Sequence, residues 1–142
     1  MIFVSNNHPF LRFSRRETFQ TIQNVLRKES ARALSLSVVF VGSRFIRRLN
    51  RRFLNHDEVT DVIAFPFHDG LGVDGEVYVN LDRAKSQARA YRIGFGEEAR
   101  RLLIHGMLHL LGYSDATARQ KARMREREDD LLTKVPSKGG RS

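Results

Sequence analysis

Apolar positions along this chain follow two periods, and the switches between them mark the elements. Residues 2–4 are a short apolar strand segment, and Leu34-Ser35-Leu36-Ser37 alternates strictly before the β-branched run Val38-Val39-Phe40-Val41. That pattern predicts a strand over 34–41 that grows more buried toward its end. A third strand spans 60–67, where Pro66 favours an edge position or the strand's end. Glycines and aspartates between 68 and 74 predict a turn, and 75–81 alternates again, so the last two strands form a hairpin.

The helical period appears five times. Ser14 with Glu17 three residues on starts a helix that runs to about residue 30, with Phe19, Ile22, Val25 and Leu26 on its apolar face. Ser43 is the expected cap of a helix over 44–53, where Phe45, Ile46, Leu49 and Phe53 recur at helical spacing. An amphipathic helix over 82–92 turns Ala84, Ala88 and Tyr91 inward, and Gly94 and Gly96 break it before the next helix starts near residue 97. A last helix over 118–132 is mostly charged, with Met124, Leu131 and Leu132 as its apolar contacts. Residues 134–142, rich in glycine and lysine, read as a flexible basic tail. No repeat or linker interrupts the rest, so the expectation is an α+β fold with one domain over residues 1–133.

A length of 142 residues suits one domain with a real core. There is no cysteine, which removes disulfides and thiolate metal sites and fits a reducing compartment. The N-terminal residues lack a signal-peptide pattern and no run approaches a membrane span, so the expectation is a soluble cytoplasmic protein without a membrane partner. A formal charge of +9 points to a polyanionic partner, nucleic acid first. Arg44, Arg47, Arg48, Arg51 and Arg52 share the helix over 44–53 with no acid among them. Such a run is often only a solvated face, but mutually repelling cations suit a phosphate backbone.

The chemistry concentrates in Ile104-His105-Gly106-Met107-Leu108-His109-Leu110-Leu111-Gly112-Tyr113-Ser114-Asp115. Two histidines four apart on a helix share a face and can reach one ion. Such a pair also arises by chance. Here the surrounding leucines, isoleucine and methionine make the helix a buried one, and buried imidazoles need partners because an unpaired polar group costs on the order of 1–3 kcal/mol. Gly112 suits a left-handed cap that folds the chain back, which makes Asp115 a possible third ligand. Asp115 also has the alternative role of a helix cap, although Thr117 with Gln120 is the better capping box. Three nitrogen and oxygen ligands with an open fourth position describe a catalytic zinc. At Gly106 zinc proteases carry the glutamate that serves as general base, so peptide hydrolysis by that route is disfavoured.

Taken in order, Leu49-Asn50, then the segment from Thr60 through Phe67, then Gly75-Glu76-Val77-Tyr78-Val79, then the histidine motif through Tyr113, the chain resembles the YbeY family of endoribonucleases from about residue 34 to 132. The resemblance implies a small mixed sheet under a bundle of helices, with a zinc-protease-like outline. It also implies one zinc per chain, or another divalent metal, and single-strand endoribonuclease activity in ribosomal RNA maturation at the small-subunit 3′ end and in ribosome quality control. The implied partners are precursor rRNA and the small subunit, with no obligate protein partner for folding. Two positions depart from the family pattern. The motif H-G-x-L-H-L-x-G-Y-D-H ends here on Asp115, and the metal role carries over because carboxylate is a normal zinc ligand. Where many members have an arginine in a Tyr-Arg-Gly-Lys-Asp-like loop, this chain has Phe53-Leu54-Asn55-His56-Asp57, so Leu54 stands at the arginine position and leaves Arg51, Arg52 and His56 as candidate replacements. On this reading His105, His109 and Asp115 hold the metal, and Arg47, Arg48, Arg51 and Arg52 hold RNA. Beyond a metal-activated water, the catalytic group is unknown on this reading. A metal-stabilised RNA-binding assembly factor that does not cut is the alternative, and a hydrolase of small molecules or peptides is a third.

Overall fold

The computed structural model describes residues 1–67 and 72–133. The tail over 134–142, and His68 with the first part of the turn that follows, lie outside the described residues. Four strands form one sheet: β1 (Ile2–Asn6), β2 (Ala33–Val41), β3 (Val62–Pro66) and β4 (Val73–Asn80). Their order is β1-β2-β4-β3, with β1 and β4 parallel to β2 and β3 antiparallel to β4. The sheet is therefore mixed. The expected hairpin is the β3–β4 pair, and Pro66 sits both on an edge strand and at its end, where its missing N–H costs nothing.

Among the described residues five helices complete the fold: α1 (Arg15–Lys28), α2 (Ser43–Phe53), α3 (Leu81–Tyr91), α4 (Phe95–Leu110) and α5 (Ala118–Thr133). The alternation of each strand separates two cores. Leu36, Val38 and Phe40 of β2 with Val73, Val77 and Val79 of β4 join Ile22 and Val25 of α1, Ala84 of α3, Leu103 and Met107 of α4 and Met124 of α5 in the main core. On the opposite face a smaller cluster joins Val41, Ile46 and Ile63 under the single helix α2. α4 crosses the sheet at Gly106, and this contact fixes where the histidines stand.

Caps follow the sequence in most places and depart from it once. Ser14 Oγ accepts the Glu17 N–H at 3.1 Å, as the capping pattern predicts. Ser43, expected as the cap of α2, is instead its first residue, and the cap position is Gly42 with no side chain to offer. The Ser43 N–H is satisfied from a distance by Asp82 Oδ2 at 2.8 Å. Asp82 Oδ1 takes a hydrogen bond from His8 Nε2 at 2.8 Å, and the N–H groups of Phe10 and Leu11 donate to His8 Nδ1. One carboxylate thus ties the N-terminal segment to the starts of α2 and α3. Burial works against ionisation of Asp82, but the bonds from His8 and Ser43 outweigh it and hold its pKa below the ordinary carboxylate value.

Candidate metal centre and adjoining cavity

Helical periodicity brings His105 and His109 one turn apart on α4, with their ring centroids at 4.7 Å. The helix ends as Gly112 implied. Gly112 takes φ +101°, its N–H donates to the His109 carbonyl at 3.0 Å, and the Tyr113 N–H donates to the Leu108 carbonyl at 3.0 Å. This paired closure is a Schellman cap, and it reverses the chain over the histidines. Asp115 is carried back with it. Its Oδ2 lies 3.5 Å from His105 Nε2 and 3.4 Å from His109 Nε2, while the two Nε2 atoms are 3.1 Å apart.

Those three separations test whether a metal fits. Zinc bonds of about 2.0–2.1 Å in a tetrahedron put neighbouring donors about 3.3–3.4 Å apart. The three distances bracket that edge, and the donor set of two nitrogens and one oxygen is chemically suited to zinc. Among the described residues, His105, His109 and Asp115 are the one group of three such side chains close enough to share an ion. The side chains of His105 and His109 remain 25% and 30% exposed, so the cluster is open on one side.

Asp115 does not cap α5. Thr117 Oγ1 accepts the Gln120 N–H at 3.1 Å and Gln120 Oε1 accepts the Thr117 N–H at 3.1 Å, so the capping box is the one the sequence favoured. Tyr113, in the same reversal, donates its hydroxyl to Glu29 at 3.0 Å, and Arg127 Nε donates to Glu29 Oε2 at 2.6 Å. The reversal is therefore tethered to the end of α1 and to α5.

Sequence reading missed Glu128. It is buried on α5 and is in hydrogen-bond contact with His105 Nδ1. A ring that donates Nδ1–H to a carboxylate presents its Nε2 lone pair outward, which is the arrangement metal-binding histidines adopt. Burial disfavours the charged form of His105, but the bond and charge of Glu128, joined by Asp61 and Asp115, outweigh it and raise the ring pKa. One signal was available: Glu128 follows Met124 by four residues and precedes Leu131 by three, so it interrupts the apolar stripe of α5.

The arginines of α2 divide into two sets. Arg47 and Arg51 both grip Asp57, with Nε to Oδ1 at 2.7 and 2.8 Å, and their hydrogen bonds hold the Asp57 carboxyl well below its usual range. Arg48 and Arg52 lie over the rings of Phe45 and Phe53 and, with Arg44, have no carboxylate partner among the described residues. Leu54 stands at the C-cap of α2, partly exposed. His56 Nδ1 is 3.6 Å from Glu58 Oε1 and does not join the metal-ligand group.

Beside the triad opens a cavity of about 570 Å³ into which His105, Asp115 and Asp61 face. Its far part is formed where the end of α3, the start of α4 and α5 meet. Glu98 belongs to that wall and is 1% exposed. Its Oε2 accepts from Gln87 Nε2 at 2.6 Å, and its Oε1 has no hydrogen-bond donor. Burial pushes the Glu98 carboxyl pKa up, opposed by Gln87 and Arg101. Arg101 links cavity to triad, with Nε 3.9 Å from Glu98 Oε1 and Nη1 3.3 Å from Glu128 Oε1.

The family model described as Endoribonuclease YbeY matches residues 3–136. A protein named Endoribonuclease YbeY from Chlorobium phaeovibrioides is 43% identical over 113 residues, covering 80% of this chain and 76% of that protein. The protein of that name from Chlorobaculum tepidum is 41% identical over 116 residues, covering 82% and 85%. The solution structure of TM1509 from Thermotoga maritima superposes with a TM-score of 0.66 at 25% identity, covering 95% of this chain and 89% of that one.

Proposed function

The chain belongs to the YbeY family of endoribonucleases, and from that premise we propose that it cuts single-stranded RNA where His105, His109 and Asp115 converge on one zinc ion. The observation that carries this reading is the spacing of the three donor atoms, 3.1–3.5 Å, on a cluster that is open on one side. A zinc there supplies Lewis acidity toward a phosphoryl oxygen and toward water at neutral pH.

The chain's own groups prepare that chemistry. Glu128 fixes the His105 tautomer, and the Schellman cap at Gly112 sets the angle from which Asp115 approaches. Gly106 offers no side chain that could act as a base, so proton acceptance falls to a group in the cavity or to solvent. Arg44, Arg48 and Arg52, free of carboxylates among the described residues, are the cations of α2 best placed to hold phosphates. Arg47 and Arg51 order the Asp57 loop instead, so of the four arginines assigned to RNA only Arg48 and Arg52 keep that role in the proposal. Leu54 contributes no charge, and Arg52 two residues before it takes over that part of the backbone.

RNA is the substrate class of the family, and the specific substrate we propose is precursor ribosomal RNA near the small-subunit 3′ end, with a role in ribosome quality control in the cytoplasm. Among the described residues, no helix is long and apolar enough to cross a membrane. Purified protein incubated with an rRNA precursor, with and without chelator, and the product ends mapped, tests the proposal. Chelator-sensitive cuts in unpaired segments support it. Tight binding without cuts, in parent and metal-loaded protein alike, would establish the non-cutting assembly factor instead.

A further inference from the structure

The cavity beside the triad differs in character from the rest of the molecule. The chain carries a formal charge of +9, yet five carboxylate side chains line this cavity against three basic ones. Two of the five, Asp115 and Glu128, serve the triad, so the far part sets Asp61, Glu97 and Glu98 against Arg101, Lys121 and Arg125. Its walls include Leu102, Ile93 and Met124, and the ring of Tyr91, 61% exposed, stands at its rim. Apolar walls with an aromatic edge suit a flat heterocycle, which stacks well and carries no charge.

Glu98 decides which heterocycle. It is buried, it belongs to the cavity wall, and its Oε1 has no donor. A buried acceptor left unsatisfied costs on the order of 1–3 kcal/mol, so a ligand that brings an N–H to it is favoured over one that does not. Gln87 already occupies Oε2, which directs any incoming donor to Oε1. Arg101, at 3.9 Å and itself part of the wall, is the side chain that has to yield for the donor to reach it.

Resting on the reading that RNA is cut at the triad, we propose that this cavity is a nucleobase subsite. It takes the base next to the scissile phosphate, and Glu98 selects bases whose pairing edge carries an amino group (cytosine, adenine or guanine) over uracil. Carboxylate acceptance from an exocyclic amine is an established mode of base reading. Uracil presents a carbonyl oxygen where cytosine presents that amine, and its one pairing-edge donor, N3–H, is flanked by two carbonyls, so bringing it to Oε1 sets an acceptor beside the carboxylate.

The test uses the full chain and a readout that needs neither cleavage nor metal. The methyl group of Met124, labelled with carbon-13, reports on the cavity by NMR while cytidine, uridine or inorganic phosphate is titrated, in metal-free and in zinc-loaded protein. Cytidine is expected to shift the Met124 signal with an affinity about tenfold or more above that of uridine. Glu98→Gln replaces an acceptor oxygen by a donor at constant shape, and it should abolish or invert that preference. Tyr91→Ala should weaken both nucleosides alike without changing their order, since it removes stacking only. Equal response to the two nucleosides, response to phosphate alone, no response to any, or a preference that survives Glu98→Gln would overturn the proposal. Mapped cleavage ends supply the second arm: amino-bearing bases at one fixed side of the cut in the parent, and loss of that bias in Glu98→Gln. Cleavage that survives His105→Ala would instead sink the catalytic reading, while the nucleoside titration would still judge the subsite.

Discussion

A Cβ atom on Gly106 would lie 2.5 Å from Val77 Cγ1 and 3.0 Å from Val62 Cγ2, so the absence of a side chain there is what lets α4 lie down on β3 and β4. Val77 is fully buried and cannot step aside. Gly106→Ala gains roughly 1 kcal/mol of helix propensity, but overpacking a filled core costs about 1–3 kcal/mol. The expected outcome is net destabilisation by about 1 kcal/mol in denaturant unfolding, with weaker metal binding because both histidines move with the helix. A variant as stable as the parent, with unchanged metal affinity, would show that the helix floats on the sheet.

Asp115 separates two roles by size of effect. As a helix cap its loss would cost about 1 kcal/mol and leave metal content alone. The Thr117–Gln120 box already caps α5, so Asp115→Ala should scarcely change stability of the metal-free protein. Elemental analysis should find the metal gone from Asp115→Ala, and present in Asp115→His, which replaces the oxygen ligand by a nitrogen one. Stoichiometric metal in Asp115→Ala rules the residue out as a ligand.

Glu128 acts through His105 and should be felt in metal affinity before it is felt in the fold. Glu128→Gln removes the charge at constant shape, and an outer partner of a metal-bound histidine is worth about 10- to 100-fold in affinity. Competition against a chromophoric chelator measures this directly. Unaltered affinity would reduce Glu128 to a packing residue.

RNA affinity should depend on salt through Arg44, Arg48 and Arg52 and much less through Arg47 and Arg51. Each lost phosphate contact flattens the slope of log affinity against log salt by about one unit. Arg48→Gln with Arg52→Gln should flatten it by about two. Arg47→Gln with Arg51→Gln leaves Asp57 without its partners and should disturb the loop more than the slope. The reverse ranking would mean that Asp57 gives up its arginines when RNA arrives.

Acid stability carries a contribution from Asp82. Its folded pKa lies below the ordinary value of 3.8, so the unfolded chain takes up the proton first as pH falls. The stabilisation is complete above about pH 5 and disappears as pH drops through the lowered pKa. In thermal melts, Asp82→Asn should be less stable than the parent at pH 7, and the gap should narrow steadily below pH 4. A gap independent of pH would trace the effect to lost hydrogen-bond geometry alone.

Local sequence was a good guide wherever the partner lay within a few residues. The hairpin with Pro66 at its edge, the Gly112 closure and the Thr117–Gln120 box are all of this kind, and each was legible. Ser43 was misjudged because its real partner, Asp82, is 39 positions away. The arginines of α2 looked uncompensated because Asp57 reaches them from the next loop. His105 and His109 could be paired by spacing, but Glu128 and the cavity around Glu98 exist only after α3, α4 and α5 have packed. Periodicity has no purchase on such meetings.

The tether from Glu29 to Tyr113 and Arg127, together with the brace of Glu128 on His105, has a consequence during synthesis. Chains emerge N-terminus first and fold as they emerge. Until α5 docks, a chain that holds both histidines and Asp115 lacks the two neighbours that hold the ring and the reversal in place. Bracing of the triad is thus a late step of folding, finished only when α5, the last described element of the chain, has docked.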